Sequence, residues 1–467
     1  MRLERIIENS DARILHGDLS TAISAITSDS RKAAPGSLFI AVKGYAVDGH
    51  DYISAALAAG ASAVISCDRH SLAVCAANFY DNPSEKINLI GITGTNGKTT
   101  TVTLLYRLFT RLGYSCGLLS TIANYVGNKR FEAVNTTSDP ITINSLLAEM
   151  AAEGCEYCFM EVSSIGVEQE RIAALHFKVG IFSNLTHDHL DYHGTFAEYL
   201  RCKKLFFDNL PADAVAITNI DDRNGEVMVQ NTKAKVISYS VKSLADHKCK
   251  IIEMNFEGML LEIDGIESWT RLIGLHNAYN ILAIYTTAIA LGARQDEALV
   301  AISALESAPG RLENIPGPDG KAVIIDYAHT PDALENVLKT LREIDPGREL
   351  VCLFGCGGDR DKTKRPEMAA IAEKMADRII ITSDNSRTEK TSDIISDIKK
   401  GLSFEGRCKS LCIEDREEAI RAAIVTSKPY ATILLAGKGH EDYQIIGKEK
   451  RHFDEKEIVA QIFKEIK

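Results

Sequence analysis

The chain has 467 residues, a hydrophobic share of 45%, a charged share of 25% and a formal net charge of -11. That length exceeds one ordinary hydrophobic core and sets an expectation of about two to four globular domains. The negative balance argues against a general nucleic-acid binder, which needs a basic footprint, but leaves room for a local basic pocket around an anionic small molecule.

The N-terminal run Met1-Arg2-Leu3-Glu4-Arg5, followed by Glu8 and Asp11, contains no apolar signal core, and no later stretch approaches a membrane span. The 11 cysteines are scattered and odd in number, which suits reduced thiols in a cytoplasm. Cys155 and Cys158 have C-x-x-C spacing, but they lie in an apolar run and read as buried thiols rather than a redox or zinc site.

Three α/β stretches follow one another, giving expected domains at 1–86, 87–309 and 310–467. The first closes in the polar segment Asp81-Asn82-Pro83-Ser84-Glu85-Lys86. The second opens with a predicted strand at 87–92 and the turn Gly94-Thr95-Asn96-Gly97-Lys98-Thr99. From Thr100 on, Val102, Leu105, Tyr106 and Phe109 recur at the spacing of one helix face. Strand, glycine loop and helix in that order make a phosphate grip. The glycines let backbone N–H groups converge, the helix N-terminus adds partial positive charge, Lys98 supplies a full charge and Thr99 a hydroxyl for magnesium. Ile92 stands where the strict pattern has glycine, so the match is to a variant. A second strand, 157–160, ends in Glu161, where a magnesium-organising acid belongs. An N-cap or a solvated turn acid is the plainer reading of Glu161 alone.

Residues 184–194 hold the densest polar cluster, with His187, Asp188, His189, Asp191 and His193. Zinc binding and a hydrogen-bonded loop are both open readings of it. Lys203 follows on a predicted helix with Tyr199, Leu205 and Phe206.

The third stretch begins after residues 315–320, a Pro/Gly-rich hinge candidate. Apolar runs at 322–325, 349–354, 378–382 and 432–436 alternate with helical patterns, the signature of a parallel sheet with crossover helices. Each run is followed by a polar cluster: Asp326; residues 357–361; Asp384-Asn385-Ser386-Arg387; and residues 437–441. Strand C-terminal ends share one edge of such a sheet, so the clusters predict one composite site.

Taken together these motifs resemble the Mur ligases, amide-forming enzymes of peptidoglycan precursor synthesis, and among them the branch that adds the third residue of the peptide. The resemblance spans nearly the whole chain. It rests on Asp29-Ser30-Arg31, residues 44–49, 94–99 and 135–137, Glu161-Val162-Ser163-Ser164, residues 184–194, His276-Asn277, residues 326–331, 357–365 and 437–441. It implies three α/β domains: a small N-terminal one for UDP-N-acetylmuramoyl-L-alanyl-D-glutamate, a central P-loop domain for ATP, and a C-terminal Rossmann-like one for the incoming amino acid. Ser28, Ser30, Tyr45, Ala46 and Val47 match the uridine side. Asn135, Thr136, Thr137, Ser163, Gln169 and Arg171 match groups that grip the sugar-peptide. Gly94 to Thr100 and Asn280 match the ATP site, with Arg311 and Asp326 as further candidates and His329 beside them.

The resemblance also implies Mg²⁺ held by Thr99, Glu161, His189 and a carbamoylated Lys203, which as an anion would attract the metal that its ammonium repels. Catalysis would fall to Lys98, Lys203, His189 and Glu161. A cytoplasmic monomer is expected. Diaminopimelate differs from lysine by one carboxylate, which a two-pronged arginine suits. The family motif for it is Asp-Asn-Pro-Arg; here Ser386 replaces the proline, which leaves the backbone before Arg387 freer. The reading is meso-diaminopimelate, with lysine as the alternative. Arg360, Gly437 and Glu441 match the groups at the amino acid's nearer end, Glu441 as acceptor for its ammonium. Ile165 replaces a usual histidine, so no role is given to it. Folylpolyglutamate synthases share the loop but lack the Asp29-Ser30-Arg31 domain.

Overall fold

The computed structural model describes residues 1–44, 47–186 and 190–466, with backbone only at Leu190 and Asp191. They form two compact units, residues 1–247 with 283–298, and residues 248–282 with 299–467.

In the first unit, β1 (Arg13–His16), β2 (Ala25–Thr27), β3 (Ser37–Ala41) and β4 (Ala63–Ser66) make a sheet in the order β1-β4-β3-β2. Alternate residues of β3 and β4 go to opposite faces, as a strand's period of two requires. Leu38, Ile40 and Ile65 join Leu3, Ile6 and Cys75 on one face, while Phe39, Ala41 and Val64 pack with Ala56 and Ala61 on the other.

A larger sheet follows from β5 (Asn88–Thr93), β6 (Cys116–Leu119), β7 (Asn124–Val126), β8 (Lys129–Phe131), β9 (Tyr157–Glu161), β10 (Val179–Phe182), β11 (Val215–Asn219) and β12 (Lys235–Ser240). Their order is β12-β11-β10-β5-β9-β6-β7-β8, parallel as far as β6 and antiparallel beyond it. Two glycines let a helix close onto this sheet. A Cβ at Gly91 would meet Phe206 at 2.7 Å, and one at Gly180 would meet the same ring at 3.2 Å. The helix is Phe196–Asp208, which carries Lys203. Cys155 and Cys158 are both free and buried. They join Leu147, Met150 and Phe177 in a core cluster, and burial pushes the Cys158 thiol well above its ordinary value.

In the second unit, β13 (His247–Asn255), β14 (Gly258–Ile263) and β15 (Ile266–Thr270) form an antiparallel meander. A separate sheet contains β16 (Glu313–Pro316), β17 (Ala322–Asp326), β18 (Leu350–Phe354), β19 (Arg378–Ile381), β20 (Ser410–Cys412) and β21 (Thr432–Ala436), in the order β16-β17-β21-β18-β19-β20. From β17 to β20 the pairing is parallel, and each of β17, β18, β19 and β21 falls on a predicted apolar run. These strands are almost wholly buried, as a sheet covered by helices on both faces demands. The hinge candidate at 315–320 begins as strand: Ile315 and Pro316 pair antiparallel with Val323 and Ala322. Proline is tolerated there because β16 is an edge strand.

One buried ion pair ties the strand ends of this unit. Arg416 and Glu455 meet at 2.8 Å with side chains 0% and 1% exposed. The same guanidinium donates to Ser383 O at 3.1 Å and Ala436 O at 2.8 Å. Arg416→Ala would strand a buried carboxylate and two carbonyls, so the expected loss is about 3–5 kcal/mol of stability. Chemical denaturation checks it; a change below about 1 kcal/mol would show the pair to be idle.

Candidate functional site

The phosphate loop leaves β5 at Thr93 and enters the helix Lys98–Arg111. Gly97 has φ of 87°, the left-handed region that glycine tolerates. Gly94 is required by space: a Cβ there would lie 1.9 Å from Ser183 Oγ. The segment after β10 braces the loop. Thr95 N donates to Asn184 O at 2.8 Å, Asn96 N to Asn184 Oδ1 at 2.9 Å, and Ser183 Oγ to Asn96 O at 2.7 Å. Lys98 Nζ folds back to donate to Gly94 O and Thr95 O, each at 2.8 Å. Lys203, 1% exposed, donates to Gly94 O at 2.7 Å and lies 4.7 Å from the Tyr199 ring. The structure thus brings Lys98 and Lys203 to one loop carbonyl, Gly94 O.

Glu161 is neither an N-cap nor a solvated acid. It is 1% exposed, accepting from Thr99 Oγ1 at 3.0 Å and from Thr121 N at 2.8 Å. Both donors are neutral, and among the described residues the buried carboxylate has no ion-pair partner. An oxygen donor set of carboxylate plus hydroxyl beside a phosphate loop fits a hard cation such as Mg²⁺. His187, Asp188 and His189 lie outside the described residues, as do Tyr45 and Ala46. His193 is buried, its Nε2 2.9 Å from Ser164 Oγ. Among the described residues no group of three or more His, Cys, Asp or Glu forms a metal cluster.

A cavity of 710 Å³ in the same unit is lined by Ser28, Ser30, Val47, Asn135, Gln169 and Arg171, among others. Six residues singled out from three distant stretches thus share one wall. Arg171 NH1 donates to Thr137 O at 2.6 Å and its NH2 to Gln169 Oε1 at 2.7 Å, which fixes both side chains. Thr136, Thr137 and Ser163 do not line this cavity. Thr137 Oγ1 donates to Glu161 O at 2.9 Å and accepts from Ser163 N at 3.0 Å, while Ser163 Oγ caps the helix Ser164–Glu168. Thr136 Oγ1 accepts from Thr121 Oγ1 at 3.1 Å. These three brace the Glu161 strand end. Arg31 and Arg69 add cations to the cavity lining, suited to an anionic ligand. Arg31 pairs with Asp29 at 2.8 Å; its donated hydrogen bonds hold that carboxyl down to about 2.

In the second unit the four polar clusters do follow the parallel strands β17, β18, β19 and β21, on one sheet edge. Asp384 lies 3.7 Å from Lys438 Nζ, and Asn385 Nδ2 donates to Glu441 Oε2 at 2.8 Å. Arg387 NH1 donates to Gly358 O at 2.8 Å. Gly437 N donates to Asp326 O at 3.0 Å, and Arg360 NH1 reaches only the neighbouring Asp359 O, at 3.3 Å. The backbone around Ser386, expected to be freer than with proline, is held by hydrogen bonds. Gly358 N donates to Asn385 O at 2.9 Å, Glu389 N to Ser386 O at 3.1 Å, and Arg387 N to Ile445 O at 3.2 Å. Hydrogen bonds supply the restraint that a proline ring would have given.

Burial raises the Asp326 carboxyl, and Arg311 and the amides of Leu312 and Ala328 counter part of that. Arg311 stacks 4.7 Å from the Tyr327 ring with its Nε unpartnered. Burial and Arg311 together lower His440 and His276 to about 4. Asn280 is buried, donating to Asn277 Oδ1 at 3.0 Å.

Residues 92–288 match the profile of the Mur ligase middle domain, 310–439 that of the Mur ligase glutamate ligase domain, and 22–92 that of the Mur ligase family catalytic domain. The chain is 48% identical, over 99% of both chains, to the UDP-N-acetylmuramoyl-L-alanyl-D-glutamate–2,6-diaminopimelate ligase of Phocaeicola vulgatus. It belongs to the Mur ligase family. The correspondingly named ligase 1 of Clostridium acetobutylicum is 40% identical over 100% of both chains. A solved structure of a UDP-N-acetylmuramoyl-L-alanyl-D-glutamate–2,6-diaminopimelate ligase superposes with a TM-score of 0.72 at 30% identity, covering 100% of this chain and 99% of that one. Folylpolyglutamate synthase from Mycobacterium tuberculosis shares the fold at 19% identity and a TM-score of 0.63.

As a Mur ligase the chain is an ATP-dependent ligase of the α/β class. Among the described residues no helix is long and apolar enough to cross a membrane. Four contributors escaped the sequence reading. Ser183 and Arg69 belong to no motif, Asn184 stands only within the run 184–194, and Lys438 only within the run 437–441. Ser183 and Asn184 act on the loop at Asn96, and Lys438 on Asp384, so local spacing has no signal for them.

Proposed function

We propose that this Mur ligase joins an amine of meso-2,6-diaminopimelate to the D-glutamyl carboxylate of UDP-N-acetylmuramoyl-L-alanyl-D-glutamate, at the expense of ATP. The observation that carries the amine choice is the strand-end cluster. Glu441 offers a carboxylate for an ammonium, and Arg387 offers a guanidinium for the carboxylate that lysine lacks. The relatives' names support the same choice. Domains at 1–86, 87–309 and 310–467 would hold sugar-nucleotide, ATP and amino acid in turn, in a cytoplasmic monomer.

The chemistry follows from charge. The glutamyl carboxylate attacks the γ-phosphorus, forming an acyl phosphate as the bond to ADP breaks. The amine nitrogen then attacks the acyl carbon, and inorganic phosphate leaves. Loop N–H groups at 94–99 and Lys98, released from Gly94 O and Thr95 O, would balance charge on the transferring phosphoryl group. Thr99 and Glu161, with His189 and a carbamoylated Lys203, would hold Mg²⁺, which supplies further charge neutralisation. Arg171, Gln169 and Asn135 would hold the sugar-peptide.

A phosphate-release assay with the UDP-sugar dipeptide tests the reading, offering diaminopimelate, lysine and ornithine in turn. Release with diaminopimelate is expected. Release with lysine alone would reverse the amine, and release only with a folate and glutamate would reverse the substrate class. Dependence of the rate on bicarbonate, after exhaustive CO₂ removal, reads the modification of Lys203.

A further inference from the structure

Gly437 and Gly439 have φ of 114° and 54°, which turns the chain so that the side chain between them points inward. That side chain is Lys438, 0% exposed. Its Nζ lies 3.3 Å from Glu441 Oε2, 3.7 Å from Asp384 Oδ1 and 3.4 Å from Asn385 Oδ1. The rings of Tyr443 and Phe453 flank it at 5.7 and 5.8 Å. Asn385 cannot flip its amide freely, because Ile445 N donates to its Oδ1 at 2.9 Å. Asn385 Nδ2 and Lys438 Nζ therefore both spend themselves on the same oxygen, Glu441 Oε2. Among the described residues no hydrogen bond engages Oε1 of Glu441, which leaves it available to a ligand.

We infer that Lys438 is a positioning residue, a buried counter-ion that keeps Glu441 ionised and turned so that Oε1 receives the ammonium of the incoming amino acid. This rests on the proposed function, in which Glu441 binds that ammonium. The electrostatics agree. Burial raises the Glu441 carboxyl and Lys438 pulls it down, while Asp384 pushes it further up. Burial would raise Asp384 too, but Lys438 and then Arg416, with the Asn385 amide, hold it below its ordinary value. Further charged or titratable neighbours are Tyr327 and Tyr443, which burial and then Glu441 push upward, Arg311, Arg387 and Asp442, which act on those two rings, and His329, which acts on Asp384. Without Lys438, two carboxyls would share a buried site and one would take up a proton.

The test is the pH dependence of KM for diaminopimelate in Lys438→Met, whose apolar side chain has similar length. At pH 7 we expect KM for the amine to rise about tenfold or more, and to climb again toward pH 6 as Glu441 protonates. KM for ATP and kcat at saturating amine should change by less than about threefold. Lys438→Arg, which keeps the charge, should stay within about threefold of the parent at each pH. A uniform fall in kcat, or a KM that rises without pH dependence, overturns the counter-ion role and leaves a packing role. If Lys438→Met does not fold, the arginine variant decides: a tenfold loss of amine affinity in a protein with the parent's melting temperature overturns it. Wild-type turnover is read first. Its absence with any amine overturns the ligase reading and this inference together, whereas normal turnover confines a failure to Lys438.

Discussion

Lys98→Met is expected to lower kcat by about a thousandfold or more, because a fixed cation at the transferring phosphoryl group is among the largest single contributions to such reactions. The side chain opens the helix Lys98–Arg111, where it already bridges two loop carbonyls at 2.8 Å. Those carbonyls mark its reach over the loop mouth. Lys203 cannot replace it. Its side chain is buried against Gly94 O and fixed by a helix that packs against Gly91 and Gly180, and as the proposed carbamate it would carry the opposite charge. Methionine keeps the length and the helix propensity, so the fold should survive. Phosphate release at saturating substrates, with a melting curve as control, checks the expectation. A loss under about tenfold would remove Lys98 from phosphoryl transfer.

The chemistry of this chain was legible wherever a site is built from a contiguous run at a strand end. The loop after β5 and the clusters after β17, β18, β19 and β21 could be read because apolar strand, polar turn and helix recur in order. The sheet order could not. β21 lies between β17 and β18 although it comes last of the three in the chain, and nothing local in residues 432–436 encodes that neighbour. Interactions across long separations were equally silent. Thr137 reads as a ligand group on motif grounds, yet its hydroxyl is spent on Glu161 O and Ser163 N. Ser386 read as a loosened proline position, but hydrogen bonds from Gly358, Glu389 and Arg387 compensate. Both differences have the same cause. A motif records residue types, whereas a buried polar atom takes whichever partner the fold brings to it.

Arg387→Ala is expected to cost about a hundredfold in kcat/KM for diaminopimelate, the loss of a charge-assisted, two-pronged contact of about 2–3 kcal/mol. Lysine should be used no worse than before, so the preference collapses. Arg387 sits at φ 49°, and alanine bears the same backbone cost, so the substitution isolates the guanidinium. Only NH1 is engaged, on Gly358 O at 2.8 Å and more weakly on Asn385 O at 3.4 Å. Among the described residues Nε and NH2 have no hydrogen-bond partner, which leaves one edge of the fork for a carboxylate. Gly357 makes the room, since a Cβ there would come within 2.9 Å of NH1. Arg387→Lys should recover little, because a point charge cannot reproduce a planar pair of donors. Comparing kcat/KM for the two amines across wild type, alanine and lysine variants decides it. An alanine variant that still prefers diaminopimelate would move the selection to another cation, and Arg360, exposed beside the same cluster, would be the next to test.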